Sequence, residues 1–244
     1  MSEEATFLNR YGRFEIKYVV TTEQGKRIRE RLFHFMHIDP FARDLGYYVN
    51  RSLYFDTPDL KEYIEYIDGE KRRRKVRLRR YLLDNDTVNL ELKQKLNKII
   101  WKDKVSLDIQ AATNILATPT EWVDHGNKTI ESIARQIARY SYDPKITIVY
   151  QRIPFLDLIN GKTRITFDYN IRCGDPEMFY REVSPNDMRV LPPGYEVLEL
   201  KFTRTCPNWC RKIIDDFSLS PSTYSKYANS MDRMYFKSLL RSAN

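Results

Sequence analysis

Residues 75–79 read Lys75-Val76-Arg77-Leu78-Arg79, a stretch in which charged and apolar side chains alternate with a period of two. Because a β-strand sends successive side chains to opposite faces, the stretch predicts a strand with cations on one face and hydrocarbon on the other. Phe14-Glu15-Ile16-Lys17-Tyr18 and Asn89-Leu90-Glu91-Leu92-Lys93 repeat this pattern. A sheet of such strands that closes on its charged face encloses a pore lined with cations, which suits a long polyanion.

Eight segments carry strand patterns, at 13–20, 49–56, 73–82, 87–95, 99–106, 145–153, 163–170 and 196–203. Eight strands give a closed barrel whose interior just holds side chains or one slender ligand. Helical patterns lie between the strands, at 22–36, 58–67, 127–140, 206–217 and 222–241, and Asp84-Asn85-Asp86 predicts a hairpin turn. Strands with helices inserted at their connections indicate an α+β fold rather than alternating βαβ units.

Composition limits the function classes without choosing one. The 244 residues fit one large domain, 1–244, and 41 Lys and Arg against 33 Asp and Glu give a net charge of +8. The charge favours an anionic partner, and nucleic acid, a membrane surface and a phosphate-rich small molecule all stay open. No stretch approaches the roughly 20 apolar residues of a membrane span, and no signal peptide is evident, so we expect a cytoplasmic protein. The three cysteines predict buried structural thiols rather than a disulfide framework.

Charged and polar residues of equal parity recur downstream. The pairs are Glu91 with Lys93, Lys102 with Lys104, Tyr150 with Arg152, Arg164 with Asp168, and Glu199 with Lys201. Pairing of Glu with Lys within the sheet would explain the charged residues of any one strand. Across the whole set, however, the basic residues outnumber the acidic residues. Unpaired buried charges are costly, so the set needs counter-charges or a ligand. Arg77 and Arg79 suit phosphate, because each planar guanidinium can hold two phosphate oxygens.

The ordered set of motifs resembles the triphosphate tunnel metalloenzymes, a CYTH-like superfamily, and within them the VTC-domain polyphosphate polymerases. The matching stretches are Phe14-Glu15-Ile16-Lys17-Tyr18, Ser52-Leu53-Tyr54-Phe55-Asp56-Thr57-Pro58, Lys75-Val76-Arg77-Leu78-Arg79-Arg80-Tyr81, Leu90-Glu91-Leu92-Lys93, Arg164-Ile165-Thr166-Phe167-Asp168, Val197-Leu198-Glu199-Leu200-Lys201 and Tyr224-Ser225-Lys226-Tyr227. No single motif is specific, whereas their order along residues 10 to 230 is.

The resemblance implies an eight-stranded antiparallel closed β-barrel that holds a triphosphate and a carboxylate-bound Mn²⁺ or Mg²⁺, with a C-terminal helix near one mouth. The implied catalytic phosphate contacts are Lys17, Arg77, Arg79, Lys93, Lys102, Arg152, Arg164 and Lys226. Further substrate contacts are expected at Glu15, Arg51, Lys104, Tyr150 and Lys201. Glu199 matches the family's metal-binding glutamate, with Glu15 or Asp168 assisting. The chain departs from similar sequences at Thr223, where they tend to carry a second lysine.

Our functional hypothesis is transfer of the ATP γ-phosphate to a growing inorganic polyphosphate chain, with no nucleic-acid partner and no membrane span. Hydrolysis of tripolyphosphate or a nucleoside triphosphate in the same tunnel is the first alternative, and a non-catalytic polyphosphate-binding module is the second. A third is nucleic-acid binding through residues 71–80, which would depend on exposed Arg72 and Arg74 rather than on Arg77 and Arg79. The sequence does not indicate an oligomeric state.

Overall fold

The computed structural model describes residues 13–81, 87–97, 99–158 and 161–236; the predicted turn at Asp84-Asn85-Asp86 lies outside them. The strands of the described part are β1 (Arg13–Thr21), β2 (Met36–Ile38), β3 (Tyr48–Asp56), β4 (Arg72–Tyr81), β5 (Thr87–Leu96), β6 (Ile99–Asp108), β7 (Asp143–Asp157), β8 (Arg164–Gly174), β9 (Met188–Arg189) and β10 (Tyr195–Thr203). All eight predicted strands are present, and β2 and β9 are short additions of three and two residues.

Helices follow most of the predicted patterns. They are α1 (Thr22–Leu32), α2 (Lys61–Ile67), α3 (Ile109–Ala117), α4 (Lys128–Tyr140), α5 (Asn208–Asp216) and α6 (Lys226–Met231). Short 3₁₀ segments lie at Pro40–Leu45, Pro119–Trp122 and Pro176–Phe179, and a π-helical turn at Asp232–Phe236 follows α6. Among the helices of the described part, none has the length and apolar character needed to cross a membrane.

The strands are hydrogen-bonded in the order β1-β10-β8-β7-β3-β4-β5-β6, with β2 beside β7 and β9 beside β8. The ladders β1–β10, β10–β8, β2–β7, β3–β4, β4–β5 and β5–β6 are antiparallel. The antiparallel α+β fold is therefore confirmed. Within the described residues β1 and β6 end the order without pairing to each other, so closure of the sheet into a barrel stays a prediction.

The chain divides into two compact units. The first comprises Met1–Val49, Tyr150–Arg172 and Arg189–Ser225, and the second comprises Asn50–Val149, Cys173–Met188 and Lys226–Asn244. Each unit has its own cluster of buried apolar side chains. The single domain over 1–244 remains a prediction.

The core of the first unit lies between α1, α5 and the apolar parity of its strands. Thr21 caps α1 by accepting a hydrogen bond from the backbone N–H of Gln24, whose side chain accepts from the N–H of Thr21 in return. Ile28 and Leu32, one turn apart, then pack against buried Phe167 and Leu200. Because these strand residues use one face, their neighbours in sequence carry the charged groups of the other face.

The core of the second unit packs α3 and α4 against β4 and β5. Helix α4 begins after Asn127, whose side chain accepts from the N–H groups of Thr129 and Ile130. Its buried residues are Ile130, Ile133, Ala134 and Ile137, the spacing of one helical face. They cover Val76, Leu78, Leu90 and Leu92, which are buried on one face of the strands. The odd-numbered residues of β4 and β5 therefore point to the opposite face.

Candidate functional site

The face of β4, β5 and β6 opposite the helices carries a concentrated positive charge. Four cross-strand rows form it: Arg73–Lys95–Ile100, Lys75–Lys93–Lys102, Arg77–Glu91–Lys104 and Arg79–Asn89–Ser106. These rows hold eight Lys or Arg residues and a single carboxylate, that of Glu91. We call this group the cationic face. Predicted contacts Arg77, Arg79, Lys93, Lys102 and Lys104 all belong to it.

Glu91 is the anionic centre of the cationic face. Its side chain is 2% exposed. Oε2 accepts from Arg77 Nε at 2.6 Å, and Oε1 accepts from Lys102 Nζ at 2.8 Å. Burial alone would raise the pKa of this carboxyl, but the charges of Arg77, Arg79 and Lys102 outweigh burial and hold the pKa well below its usual range. Glu91 is thus ionised and offsets only one of the eight positive charges.

One row places three lysines directly opposite one another. Lys75 faces Lys93 across the β4–β5 ladder, and Lys93 faces Lys102 across the β5–β6 ladder. Like charges at such cross-strand positions repel and destabilise a sheet. For Lys102, burial lowers the pKa more than Glu91 restores it, and Arg77 and Arg79 lower it further. An anion of several charges placed on this face would relieve the repulsion.

Strand β3 adds two hydroxyl groups to the cationic face. Ser52 Oγ accepts from Arg79 Nε and Tyr54 Oη accepts from Arg77 Nη1, both at 3.2 Å. The Tyr54 ring also stacks on Tyr227 with a centroid distance of 5.3 Å. Burial would raise the pKa of the Tyr54 phenol, but Arg77, Arg79 and Lys75 lower it to about 7. Tyr54 is therefore a titratable group near neutral pH beside two guanidinium groups.

The charged face of the first unit is, by contrast, close to neutral. Its rows read Glu15–Lys201–Arg164 and Lys17–Glu199–Thr166 across β1, β10 and β8. Lys17 Nζ lies 3.3 Å from Glu15 Oε1 and 3.8 Å from Glu199 Oε2. Lys201 Nζ contacts Glu199 Oε1 and lies 3.8 Å from Glu15 Oε2. Two lysines and two glutamates thus form a compact quartet.

The predicted arginines of this unit are also paired. Arg152 Nε and Nη2 donate to the two carboxylate oxygens of Asp168 at 2.6 and 2.8 Å. Burial would lower the pKa of the Arg152 guanidinium, but Asp168 outweighs burial and raises it. The Tyr150 ring lies 5.4 Å from the same guanidinium.

Arg164 makes the second of these pairs. Its Nη2 donates to Asp39 Oδ2 at 3.0 Å and to Tyr48 Oη at 3.2 Å. Pairing within the sheet therefore holds in the first unit. The cross-strand rows of the cationic face differ from it in composition, because they hold eight Lys or Arg residues and one carboxylate.

The quartet is the better match for the implied divalent metal. No group of three or more His, Cys, Asp or Glu side chains that could hold a metal ion occurs within the described ranges. Mg²⁺ commonly binds one or two carboxylates together with substrate phosphates and waters. Glu15 and Glu199 offer two carboxylates beside the same pair of lysines. This number of carboxylates suits a divalent ion that also binds substrate phosphates. Both oxygens of Asp168 accept from Arg152, so its predicted metal role stays a prediction with less support.

Two arginines lie elsewhere than expected. Arg51 is on the opposite face of β3, beside Arg80, and its Nη1 donates to the backbone carbonyls of Met178, Phe179 and Arg181. It therefore positions a loop and does not join the cationic face as a substrate contact. Arg74, expected to be exposed if the 71–80 run binds nucleic acid, is 3% exposed and donates to Glu62.

The remaining predictions concern the C-terminal helix and the thiols. Lys226 is the first residue of α6 and is half-buried, and Thr223 is exposed. Cys173 and Cys210 are buried, Cys206 is partly buried, and all three are free thiols, as predicted.

Sequence reasoning missed four groups near the cationic face. Arg73, Lys75 and Lys95 have the parity of Arg77 and Lys93, so the alternation could have included them. Tyr54 lies on the same face of β3 as Ser52. Both faces of this stretch are buried, so its sequence does not alternate polar and apolar residues and did not indicate which side chains join the cationic face.

Two solved structures share the fold at low sequence identity. A candidate adenylate cyclase from Bacillus halodurans is 16% identical, with a TM-score of 0.52, and the match covers 92% of this chain and 99% of that one. A candidate adenylyl cyclase from Hippeastrum, described as having a dominant triphosphatase activity, is 13% identical, with a TM-score of 0.50 and coverage of 89% and 94%. The chain therefore shares its fold with these two proteins. None of the curated protein sequences matches the chain.

The family follows from a sequence comparison that spans nearly all of the described residues. The sequence model of the VTC domain matches residues 12–235. The chain belongs to the VTC domain family, which confirms the resemblance carried by its motifs.

Proposed function

We propose that this VTC-domain protein is a polyphosphate polymerase, which transfers the γ-phosphate of ATP to a growing inorganic polyphosphate chain. The cationic face carries this proposal, because eight Lys or Arg residues and a single carboxylate in four adjacent rows suit a polyanion. A triphosphate brings about four negative charges, and a cation at 4 Å is worth roughly 4 kcal/mol at an effective dielectric of 20. Polyphosphate offers such charge at regular spacing along its whole length.

In this proposal the predicted residues divide into two roles. The phosphate contacts are Lys17, Arg77, Arg79, Lys93, Lys102, Lys104, Arg152, Arg164, Lys201 and Lys226, with Tyr150 beside Arg152. Glu199 and Glu15 would hold Mn²⁺ or Mg²⁺, which would supply positive charge to the phosphate oxygens. Closure of the sheet into a barrel is part of this proposal, with the phosphates on its charged face. Arg51 is not among the contacts, because it lies on the opposite face of β3 and its Nη1 donates to backbone carbonyls.

Phosphoryl transfer asks little covalent chemistry of the protein. A terminal oxygen of the polyphosphate chain attacks the γ-phosphorus of ATP, the bond to the β,γ-bridging oxygen breaks, and ADP leaves. The guanidinium groups of Arg77 and Arg79 bind the equatorial oxygens and keep the two phosphates in line. Because the lysine row of Lys75, Lys93 and Lys102 repeats the same charge across adjacent strands, the chain can move by one phosphate without losing its contacts.

Hydrolysis is the nearest competing function, and one observation favours it. Glu15 and Glu199 form a carboxylate pair that could orient a water molecule, and the Hippeastrum neighbour is described as a triphosphatase. On the cationic face, however, Glu91 is the single carboxylate, and Arg77 and Lys102 already hold its two oxygens. A general base for water is therefore lacking there, which favours a phosphate oxygen as the nucleophile.

The test is to incubate the purified protein with ATP and Mn²⁺ or Mg²⁺ and to separate the products by gel electrophoresis. A ladder of polyphosphate supports the proposal. Orthophosphate without polymer would replace it with hydrolysis, and tight polyphosphate binding without turnover would replace it with a binding module. Arg77→Ala and Glu199→Gln should abolish the ladder. Arg80→Ala removes the same charge from the opposite face of β4, so it should retain the ladder.

A further inference from the structure

A concave surface lies in the second unit where β4 begins, β5 ends and β6 begins. It encloses about 480 Å³, within the range of roughly 300–1,000 Å³ typical of small-molecule sites. Its lining includes Arg72, Arg73, Gln94, Lys95, Leu96 and Trp101. We call it the Trp101 cavity.

The register places the floor of this cavity away from the cationic face. Arg74, Gln94 and Trp101 are cross-strand neighbours in one row. This row lies on the same face of the sheet as Val76 and Leu92. Val76 and Leu92 are buried in the core beneath α3 and α4. One row further along, the helices no longer cover the sheet, and Trp101 is 38% and Leu96 42% exposed. The sheet thus presents an aromatic ring and a leucine to solvent.

The charge around this platform is positive. Arg72 is exposed and Arg73 half-buried, and neither makes a salt bridge within the described part of the chain. Arg73 lies 5.6 Å from the Tyr66 ring, which leaves its guanidinium N–H groups available to an anion. The carboxylate of Asp103 accepts from Ser132 Oγ at 2.9 Å and is held at the helix side. A flat apolar platform therefore adjoins two arginines.

We propose that the Trp101 cavity binds a mononucleotide, with the base stacked on Trp101 and the phosphate on Arg72 and Arg73. Aromatic stacking accepts any base, and guanidinium groups match phosphate oxygens bidentately. The Gln94 amide offers both a donor and an acceptor to the base edge. Arg73 and Lys95 also belong to the end row of the cationic face, whereas Gln94 and Trp101 lie on the opposite face of the sheet. The two surfaces are therefore told apart below by Arg79→Ala, which changes only the cationic face, and the proposal does not depend on polyphosphate synthesis.

The test uses AMP, because its single phosphate competes poorly for a face built for several phosphates. Titration calorimetry of the full chain should give saturable binding of AMP. Adenosine, which lacks the phosphate, and ribose 5-phosphate, which lacks the base, should each bind about tenfold more weakly or worse. Arg72→Ala combined with Arg73→Ala should weaken AMP by about tenfold or more, and Arg79→Ala should leave AMP affinity unchanged.

Tryptophan fluorescence gives a second, independent readout. The chain has three tryptophans, and a Trp122→Phe, Trp209→Phe variant leaves Trp101 as the single tryptophan emitter. AMP should quench this emission saturably, with the same affinity as in calorimetry. The proposal is overturned if AMP fails to bind the wild-type chain, if the double arginine variant binds it equally well, or if ribose 5-phosphate matches it.

Discussion

Glu91 and Glu199 are both buried glutamates at the centre of a strand, yet their surroundings give them different roles. Glu91 accepts hydrogen bonds from two of the eight cations, Arg77 and Lys102, and so fixes the positions of these side chains. Glu199 shares two lysines with a second carboxylate, Glu15, so the pair can accept a divalent cation. The sequence around each residue is nearly the same, Leu-Glu-Leu-Lys in both cases. Residue type and local context therefore did not distinguish the roles.

Glu91→Gln tests the role assigned to that carboxylate. Breaking a buried ion pair should lower the free energy of unfolding by about 3 kcal/mol. Tripolyphosphate should restore more stability to this variant than it adds to the wild type, because the variant has lost the one carboxylate of the cationic face while keeping its cations. Denaturant unfolding with and without tripolyphosphate measures both effects.

Glu62→Gln is the matched control for that experiment. Glu62 is equally buried and pairs with Arg74 on the opposite face. Its loss should cost stability without any extra gain from tripolyphosphate. An equal gain in both variants would mean that the anion does not bind at the cationic face.

Tyr54 gives a pH-dependent prediction. Its folded-state pKa of about 7 lies below the ordinary value of 10.0, so ionisation favours the folded state. The stability it contributes is fully present above the unfolded pKa near 10 and is lost as pH falls through about 7. Ultraviolet difference titration should show one tyrosine ionising near pH 7, and Tyr54→Phe should remove that step.

Tyr63→Phe is the control, because the pKa of Tyr63 is raised to about 12 by burial and by the Asp232 carboxylate. The step near neutral pH should survive in this variant. A wild-type titration with no step below pH 9 would contradict the assignment.

At the scale of elements, alternation predicted the strands because burial acts on every second side chain. It did not predict α3, although Asp108 caps that helix by accepting from the N–H of Ala111, and a capping Asp before an apolar run was a usable signal. The predicted helix 58–67 begins later, at Lys61, because Leu60 adopts a left-handed conformation with φ of 57°. The turn before α2 is instead organised by a buried carboxylate.

That carboxylate is Asp56, which accepts five hydrogen bonds, one of them from Thr57 Oγ1 to Oδ1 at 3.4 Å. Oδ1 accepts from the N–H of Thr57 at 2.7 Å and of Glu62 at 2.9 Å, and Oδ2 accepts from the N–H of Tyr63 at 3.0 Å and from Tyr227 Oη at 2.6 Å. Asp56 thus joins the start of α2 to α6, the helix that begins with Lys226.

Asp56→Ala should lower the free energy of unfolding by about 3 kcal/mol, because three backbone donors lose their acceptor. Tyr227→Phe should cost about 1 kcal/mol, since Asp56 keeps its backbone partners. Urea unfolding of the two variants gives both values. If Asp56→Ala lowers the free energy of unfolding by less than Tyr227→Phe does, this carboxylate does not organise the turn before α2.

At the scale of the whole molecule, the net charge of +8 does not reveal how charge is distributed. The first unit pairs its basic residues with Glu15, Glu199, Asp168 and Asp39, whereas the cationic face of the second unit has Glu91 alone. Sequence parity identified most of these side chains, but which of them meet depends on strand register. Register is set by the buried face of each strand, and reading charges along the chain does not supply it.

Salt dependence follows from this distribution. Tripolyphosphate bound by several cations should lose affinity steadily as ionic strength rises, because screening weakens each contact. Calorimetric titration at a series of salt concentrations measures the slope. Arg79→Ala should reduce that slope, and an affinity independent of salt would contradict an electrostatic site.

The most direct measurement compares the tripolyphosphate affinity of Arg79→Ala with that of Arg80→Ala. The two residues are adjacent on β4, lose the same charge on substitution and point to opposite faces. We predict that Arg79→Ala weakens binding by about tenfold or more, while Arg80→Ala stays close to the wild type. Equal losses in the two variants, or a larger loss for Arg80→Ala, would contradict phosphate binding on the cationic face.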